Sequence, residues 1–480
     1  MITILVSVLA LSTSAPRVSD EVQDQILNTA NLPAIGLHLV KANTGHAAWV
    51  IRGNNLTIDL TGRVLQSGNV EGRTQADEIG TGILLDGCSN VTLKNVSVTG
   101  FQCNIQAKNC TNVKILGVQA NRSRAMTIAS EGKPIEQFLN LRSIAAWRSY
   151  GAGIWLEHCT KAEVLGCTTQ FAQNGIALVN CQSCLVNDNN CSYNSGWGLA
   201  LWHSTDNAVV WNHADFCNRP WSGGWGGDAA GLVAVNSCTK NVFVGNSLTH
   251  GGDGFFLTDL VNGGFNPDTK RYEFQGSSNR NLVAYNDGSW SSHNAFEGTF
   301  AEGNIYLRNY ADDSDYGFWL GFASHSMVVQ NEIKRIEHDA IAINQGEVNT
   351  IFRNDIEDVR GNGVHVWSSP GPVEEDKPSD QNEVTANRLV HCKWAVQFDR
   401  STNYQVLSNT VMDAPIPKEI KTGFSDFAHS QLVENWLYHK DVKVAEIWNN
   451  RRPKGWQYYR ETKGAKGQTA VKLGAFSPIL

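Results

Sequence analysis

No stretch of the 480 residues approaches the roughly 18 consecutive apolar residues of a membrane helix. A basic run is also missing. The 39 Lys and Arg stand against 46 Asp and Glu, a formal charge of −7, which argues against a nucleic-acid partner needing a phosphate-neutralising patch. A neutral or locally recognised sugar polymer is compatible with that balance. The 11 cysteines are an odd number, which excludes a complete disulfide framework, and the Leu-rich consensus of horseshoe repeats is absent. What is plentiful is Gly, at 44 residues, together with Asn, a composition suited to many tight turns. At 41% hydrophobic and 18% charged residues, the chain can bury a large core. Its length fits two or three ordinary domains, or one elongated repeat.

The one short apolar run, residues 4–11 (ILVSVLAL), leads into Ser12-Thr13-Ser14-Ala15, small residues of the kind a signal peptidase reads. Residues 1–15 are therefore expected to be a signal peptide and the protein to be secreted or periplasmic. No Lys or Arg precedes the run, and Pro16 would follow the cut.

Internal repetition is the dominant signal. Segments of the form Gly–apolar–x–apolar recur at Gly82, Gly153, Gly175, Gly198, Gly317 and Gly363, with Ala340 and Ala295 in the Gly position. From Gly153 the steps are 22 and 23 residues; from Ala295 they are 22, 23 and 23. Such a period means one unit stacked on itself. Apolar residues alternate, as in Ile341 and Ile343, within runs bounded by Gly, Asn, Asp and Ser, so the unit is built of strands. A second apolar position follows about eleven residues later (Leu93, Ile115, Val164, Val186, Val209, Val328, Ile351, Val406). A further column reads Val96, Val118 and Cys167, then Asn189, Asn212, Asn331, Asn354 and Asn409, with Asn246, Asn286, Asn309 and Asn387 one-residue shifts away. Stacked Asn amides can bond the coils above and below them where water cannot reach. Cys88, Cys110, Cys159 and Cys181 share one position with Ser204, which reads as a stack of small buried side chains rather than bridges, a metal site or a nucleophile.

This pattern resembles the pectin-lyase-like superfamily of right-handed parallel β-helix proteins. The resemblance implies an all-β, single-stranded solenoid over residues 81–415, about thirteen coils, with an N-terminal cap at 16–80. Residues 416–480 are expected to form a C-terminal cap or small appended β-unit, with Arg451-Arg452-Pro453-Lys454 as a solvated loop. The superfamily includes polysaccharide lyases, galacturonan hydrolases, uronan epimerases, tailspikes and non-catalytic binding proteins.

Alternation places the second residue after each Gly on the outer face: Trp155, Ala177, Ala200, Val233, Phe256, Glu297, Trp319, Ala342 and His365. Trp202, Thr258, Thr299 and Trp367 lie two residues further, and Asp253, Asn294, Tyr316 and Asp339 just before the Gly position. Trp faces among hydroxyls and carboxylates suit sugar rings. Three insertions, at about 217–229 (with Trp221, Trp225 and Asp228), 261–278 and 369–380, flank this sheet and are expected to wall a cleft over Phe256, Glu297 and Trp319. Glu297 is the candidate acid, with Asp253 or Asp259 as second carboxylate; aromatics on either side would raise the Glu297 pKa. Candidate substrate-binding residues are Trp319, Phe256, Trp202, Trp225, His293, Tyr316, Asp339, His365 and Trp367. Each has a plainer reading: outward carboxylates are usually just solvated, and Asp253-Gly254 is good turn chemistry.

The histidines show no metal-ligand spacing, so no metal or other cofactor is assigned. Calcium through Asp312, Asp313 and Asp315 is the one alternative, against a plain polar turn. The paired-Asp, Gly-His-Gly and Arg-x-Lys set of polygalacturonases is incomplete; only Asp312-Asp313 is present, off any strand face. The Asp-Pro-His-Asp of mannuronan epimerases is absent, and the expected cleft has few Lys or Arg to serve a lyase. The expectation is a secreted carbohydrate-active protein, most simply a glycoside hydrolase acting on a polysaccharide or oligosaccharide. The alternatives are a lyase or epimerase of the same fold, and a non-catalytic binding or adhesion β-helix.

Overall fold

The computed structural model describes residues 24–68, 74–125, 139–221, 224–259, 263–266, 271–274, 277–369, 378–423, 451–459, 461–462 and 470–471, with backbone alone at 221, 224–225, 263–266, 271–274, 461–462 and 470–471. The expected signal peptide lies outside these residues. No helix among them is long and apolar enough to cross a membrane.

Strands stack in parallel into a three-faced solenoid. One face carries the Gly–apolar segments, from Ala47–Ile51 through Ala152–Glu157, Asn294–Gly298 and Tyr316–Gly321 to Ile341–Asn344 and beyond. A second face is a 15-stranded ladder of mostly three-residue strands, such as Ala208–Val210 and Val242–Val244. The third includes Tyr310–Asp312 and Glu332–Lys334. Register on the first face holds coil after coil. Trp155 pairs with Ala177, Ala177 with Ala200, Ala200 with Val233, Val233 with Phe256 and Phe256 with Glu297. Glu297 then pairs with Trp319, Trp319 with Ala342, Ala342 with His365 and His365 with Gln397. Residues 256, 297 and 319 are thereby neighbours on one outer column.

Inside, Leu, Ile, Val and Phe from the three faces form one long core. Each coil turns its corners on single residues in the left-handed region: Asn90, Asn112, Lys161, Ser183, Asp206, Lys240 and Arg280 line one corner, and Trp211, Tyr285, Arg308 and Gln330 another. That conformation costs a non-Gly residue roughly 1–2 kcal/mol, so something must hold the corner. Asn ladders do. Asn309 Nδ2 donates to Asn331 Oδ1 (3.1 Å) and to the Val283 carbonyl (2.9 Å), while its Oδ1 accepts the Asn286 backbone N–H (3.0 Å). A second ladder runs through Asn207, Asn241, Asn281 and Asn304, and through Asn349 and Asn382, on another corner. The 11 cysteines are all buried and unbridged; Cys181 N–H donates to Ser204 Oγ (3.0 Å), continuing the small-residue column. Residues 451–459 do not sit at an end of the solenoid. They lie along its flank, where Trp456 packs edge-on against Trp211 and the Tyr458 hydroxyl donates to the Tyr285 carbonyl.

Candidate active site

The outer face is divided. Over its N-terminal half lies a fourth insertion, between Ala120 and Ala152, that the repeat did not announce. It holds the short helix Ile144–Tyr150, about two turns long and N-capped by Ser143. Trp147 from this helix packs on Trp197 (ring centroids 4.4 Å) and edge-on against Trp202 (5.0 Å). With Leu139, Leu141 and Tyr150 it roofs an apolar cluster containing Trp155, Ala177, Trp197, Trp202, Val233 and Phe256. Trp202 and Phe256 are only 8% and 5% exposed, which corrects their assignment as sugar-stacking surfaces. Alternation had placed them outward correctly, but a neighbouring segment covers them.

From Glu297 onward the face is open. Asn294, three residues before Glu297, turns its amide into the gap between two carboxylates. Its Nδ2 donates to Glu297 Oε2 (2.7 Å) and to Asp253 Oδ1 (3.1 Å), and its backbone N–H also reaches Asp253 (3.0 Å). If each acceptor takes one of the amide's two hydrogens, those oxygens lie about 5 Å apart. Thr299 Oγ bonds Glu297 Oε1 (3.2 Å) and Thr258 Oγ (2.9 Å). Reversing the two hydroxyl hydrogens lets this pair serve Glu297 either ionised or neutral.

A third carboxylate, Asp228, comes from the 217–229 insertion. Burial raises Asp228 to about 7, helped by Asp253 and opposed by His293 and Arg219. Burial likewise pushes Asp253 up to about 7 against its two bonds from Asn294. Burial, then Asp253, then Asp228 raise Glu297 well above the ordinary carboxylate range. Three like charges this close and this poorly solvated cannot all ionise. Glu297 and Asp228 are both partly exposed, whereas Asp253 is 2% exposed. Asp253 therefore sits behind the pair as a positioning group rather than facing a substrate.

Beside Glu297 stands an aromatic wall. Trp319 meets Tyr316 (5.0 Å) and Trp367 (5.6 Å) edge-on; Tyr316 stacks on His338 (4.9 Å) and His365 on Trp367 (4.4 Å). Small Ala342 on the intervening coil lets the two indoles meet. His365 is held at both ring nitrogens, by Asp339 (2.9 Å) and Asp399 (2.9 Å), while Asp339 also accepts both N–H groups of Asn362. Burial would lower the His365 pKa, but the two aspartates hold it above its ordinary value. Asp339, Asn362 and His365 occupy, three coils on, the positions of Asp253, Asn294 and Glu297, but there His365 bonds the aspartate directly (2.9 Å).

A family model described as right handed beta helix region matches residues 41–213 and 81–268. The chain has a right-handed parallel β-helix fold of the pectin-lyase-like kind. A model described as periplasmic copper-binding protein (NosD) matches residues 266–422 of this β-helix. Among solved structures, it is similar to the periplasmic alginate epimerase AlgG at 11% identity, over 79% of this chain and 77% of that one, with a TM-score of 0.36. It is similar to the A-module of Azotobacter vinelandii mannuronan C-5 epimerase AlgE6 at 12% identity, over 82% and 88%, with a TM-score of 0.36. It is also similar to PfbA, a surface adhesin of Streptococcus pneumoniae, at 11% identity, over 79% and 84%, with a TM-score of 0.32. No curated protein matches its sequence.

The description of the second family raises copper as a possible ligand. Among the described residues, the group close enough to hold a metal is Glu357, Asp358 and His391. One imidazole and two carboxylates are not the soft set that favours Cu(I). His391 is already bonded to Asp358 (3.1 Å), and Glu357 to Arg388 (3.2 Å). Among the described residues, this group thus lacks the thiolate and thioether donors of a Cu(I) site. Nor do Asp312, Asp313 and Asp315 fit calcium: Arg335 pairs with the first two and His338 with the third. Asp312 ends the strand Tyr310–Asp312 on the third face, away from the β-helix's outer column.

Of the remaining candidates, Asp259 is fully buried, so it faces no substrate. His293 is partly buried against Gly226, where a Cβ would fall 2.7–3.0 Å from three imidazole atoms; burial lowers its pKa against Asp315 and Asp228. The side chain of Trp225 lies outside the described residues. Three groups not singled out from sequence complete the site: Asp228, Asn294 and Asp399. Asp228 stands in a non-repeating insertion, while Asn294 is one residue before its Gly-equivalent, in the column that also holds Asp253 and Asp339.

Proposed function

We propose that this β-helix is a secreted or periplasmic glycoside hydrolase acting on a neutral polysaccharide or oligosaccharide. Glu297 is the proton donor to the glycosidic oxygen, and Asp228 is the carboxylate that acts from the other side of the bond. The single observation that carries this reading is the Asn294 amide spanning Asp253 and Glu297 beside the open Tyr316–Trp319–Trp367 wall. A carboxyl group kept neutral near pH 7 beside one poised to ionise is the division of labour that glycosidic cleavage needs. Three clustered carboxylates disfavour a uronate, whose own charge would have to join them, so elimination and epimerisation fit the site less well. The apolar run at 4–11 and the periplasmic family description of the second matching model support export.

The test is a panel of neutral and acidic glycans assayed for new reducing ends and for unsaturated products. A neutral glycan should be cut, and Glu297→Gln should lose at least about 100-fold in turnover while still binding. Unsaturated products would replace hydrolysis with elimination. Binding of several glycans with no cleavage would leave a carbohydrate-binding β-helix.

A further inference from the structure

The outer column is shut on one side of Glu297 and open on the other. On the preceding coil Phe256 is 5% exposed, and before it Val233 and Ala200 are at 0%, beneath the cluster that Trp147, Leu139 and Leu141 complete. The residues just before the Gly position tell the same story: Ala230 and Trp197 are fully buried, and Trp197 Nε1 donates to the Asp228 carbonyl (2.8 Å). That bond ties the closed half to the loop bearing the third carboxylate. On the following coils Trp319, Tyr316, His365 and Trp367 all keep partial exposure, and Asp399 is exposed. Coils rise about 4.8 Å, close to the length of one sugar ring. The open wall from Glu297 to His365 therefore spans three coil steps, about 14 Å.

We propose that a glycan lies along the solenoid axis over Trp319 and Trp367, with one chain end abutting the Phe256 roof, so that the protein recognises chain ends and removes terminal units. The proposal rests on Glu297 as the acid. A chain crossing the site from both sides would need the space that the apolar cluster fills.

Two measurements separate this proposal from the reading it rests on. The probes are neutral homopolysaccharides (β-glucan, xylan, mannan and galactan) and oligomers of each. With a glycan that is cut, short products should accumulate from the first time points while the polymer peak shortens slowly; an early ladder of intermediate lengths would overturn end recognition and leave hydrolysis standing. Binding stoichiometry of Glu297→Gln on long and short chains of one glycan serves where nothing is cut. One protein per chain, whatever its length, supports end recognition. Protein bound in proportion to length overturns it, and no binding of any probe overturns both readings. Trp367→Ala should weaken binding of longer oligomers about fivefold or more while leaving the shortest unaffected. Equal weakening at every length would contradict the placement of the chain.

Discussion

Replacing Asn294 with Ala removes the one amide that faces both carboxylates. Its bond to Glu297 Oε2 is 2.7 Å and that to Asp253 Oδ1 is 3.1 Å. Hydrogen bonds to charged groups contribute about 1.5–3 kcal/mol, and water can replace part of this at the partly exposed Glu297. A net loss near the low end, about 1.4 kcal/mol, corresponds to roughly one pH unit. The sign follows from what the amide does. It donates to the ionised form, so its loss raises the Glu297 pKa further above the ordinary range. A proton donor with a higher pKa stays charged with its proton to higher pH. The alkaline limb of the kcat/KM profile of Asn294→Ala should therefore move up by about one pH unit. The acid limb, set by Asp228 near 7, should move less. Asp253 keeps the backbone N–H of residue 294, which limits the disturbance behind the site. The pH dependence of cleavage is one assay, and carboxyl-carbon NMR titration of the unliganded protein is another that needs no substrate. If the folded variant shows neither the shifted limb nor a shifted Glu297 titration, the amide does not couple these groups and the reasoning fails.

Other consequences can be checked by unfolding measurements. Asp253 rises to about 7 in the folded protein from an ordinary 3.8, so its charge penalises folding above pH 7 and not below about pH 4; Asp253→Asn should stabilise the protein by up to about 4 kcal/mol at high pH and leave it unchanged in acid. A Cβ at Gly298 would fall 1.9 Å from the buried Tyr306 hydroxyl, so Gly298→Ala should lower the melting temperature and Tyr306→Phe in the same chain should restore part of it. Asn309→Ala strands the Val283 carbonyl and the Asn286 amide inside the solenoid and should cost roughly 2–4 kcal/mol. Asp399→Asn should lower the His365 pKa, read by imidazole NMR, because that carboxylate helps hold the ring charged.

Much of the fold was legible because a solenoid writes its geometry into sequence as a period. The Gly–apolar segments gave the register that brings Phe256, Glu297 and Trp319 together, and the Asn and Cys columns gave two of the corners. The second Asn ladder is hard to read from sequence because it begins only at Asn207; the preceding coil carries Cys184 at that position, and the coils before it Ala162 and Val113. Burial of the outer face was illegible for a different reason. Alternation says that Trp202 points outward, but not that Trp147, from an aperiodic insertion 55 residues earlier, lies on top of it. Asp228 was named only as part of an insertion, since a residue outside the repeat has no column to place it. Glu297 could be found because it is a carboxylate among apolar residues in a column whose neighbours are known. Its coupling to Asp253 depends on the rotamer of Asn294, which no periodicity encodes.

Glu297 can act only if a sugar chain laid over Trp319 and Trp367 brings its glycosidic bond to the carboxyl group. A structure of the Glu297→Gln variant with a bound oligosaccharide tests it most directly. A glycosidic oxygen should lie within hydrogen-bond reach of the side chain at 297, with a sugar ring against the Trp319–Trp367 indoles and the chain running away from Phe256. A sugar bound elsewhere on the solenoid, with position 297 untouched, would contradict it.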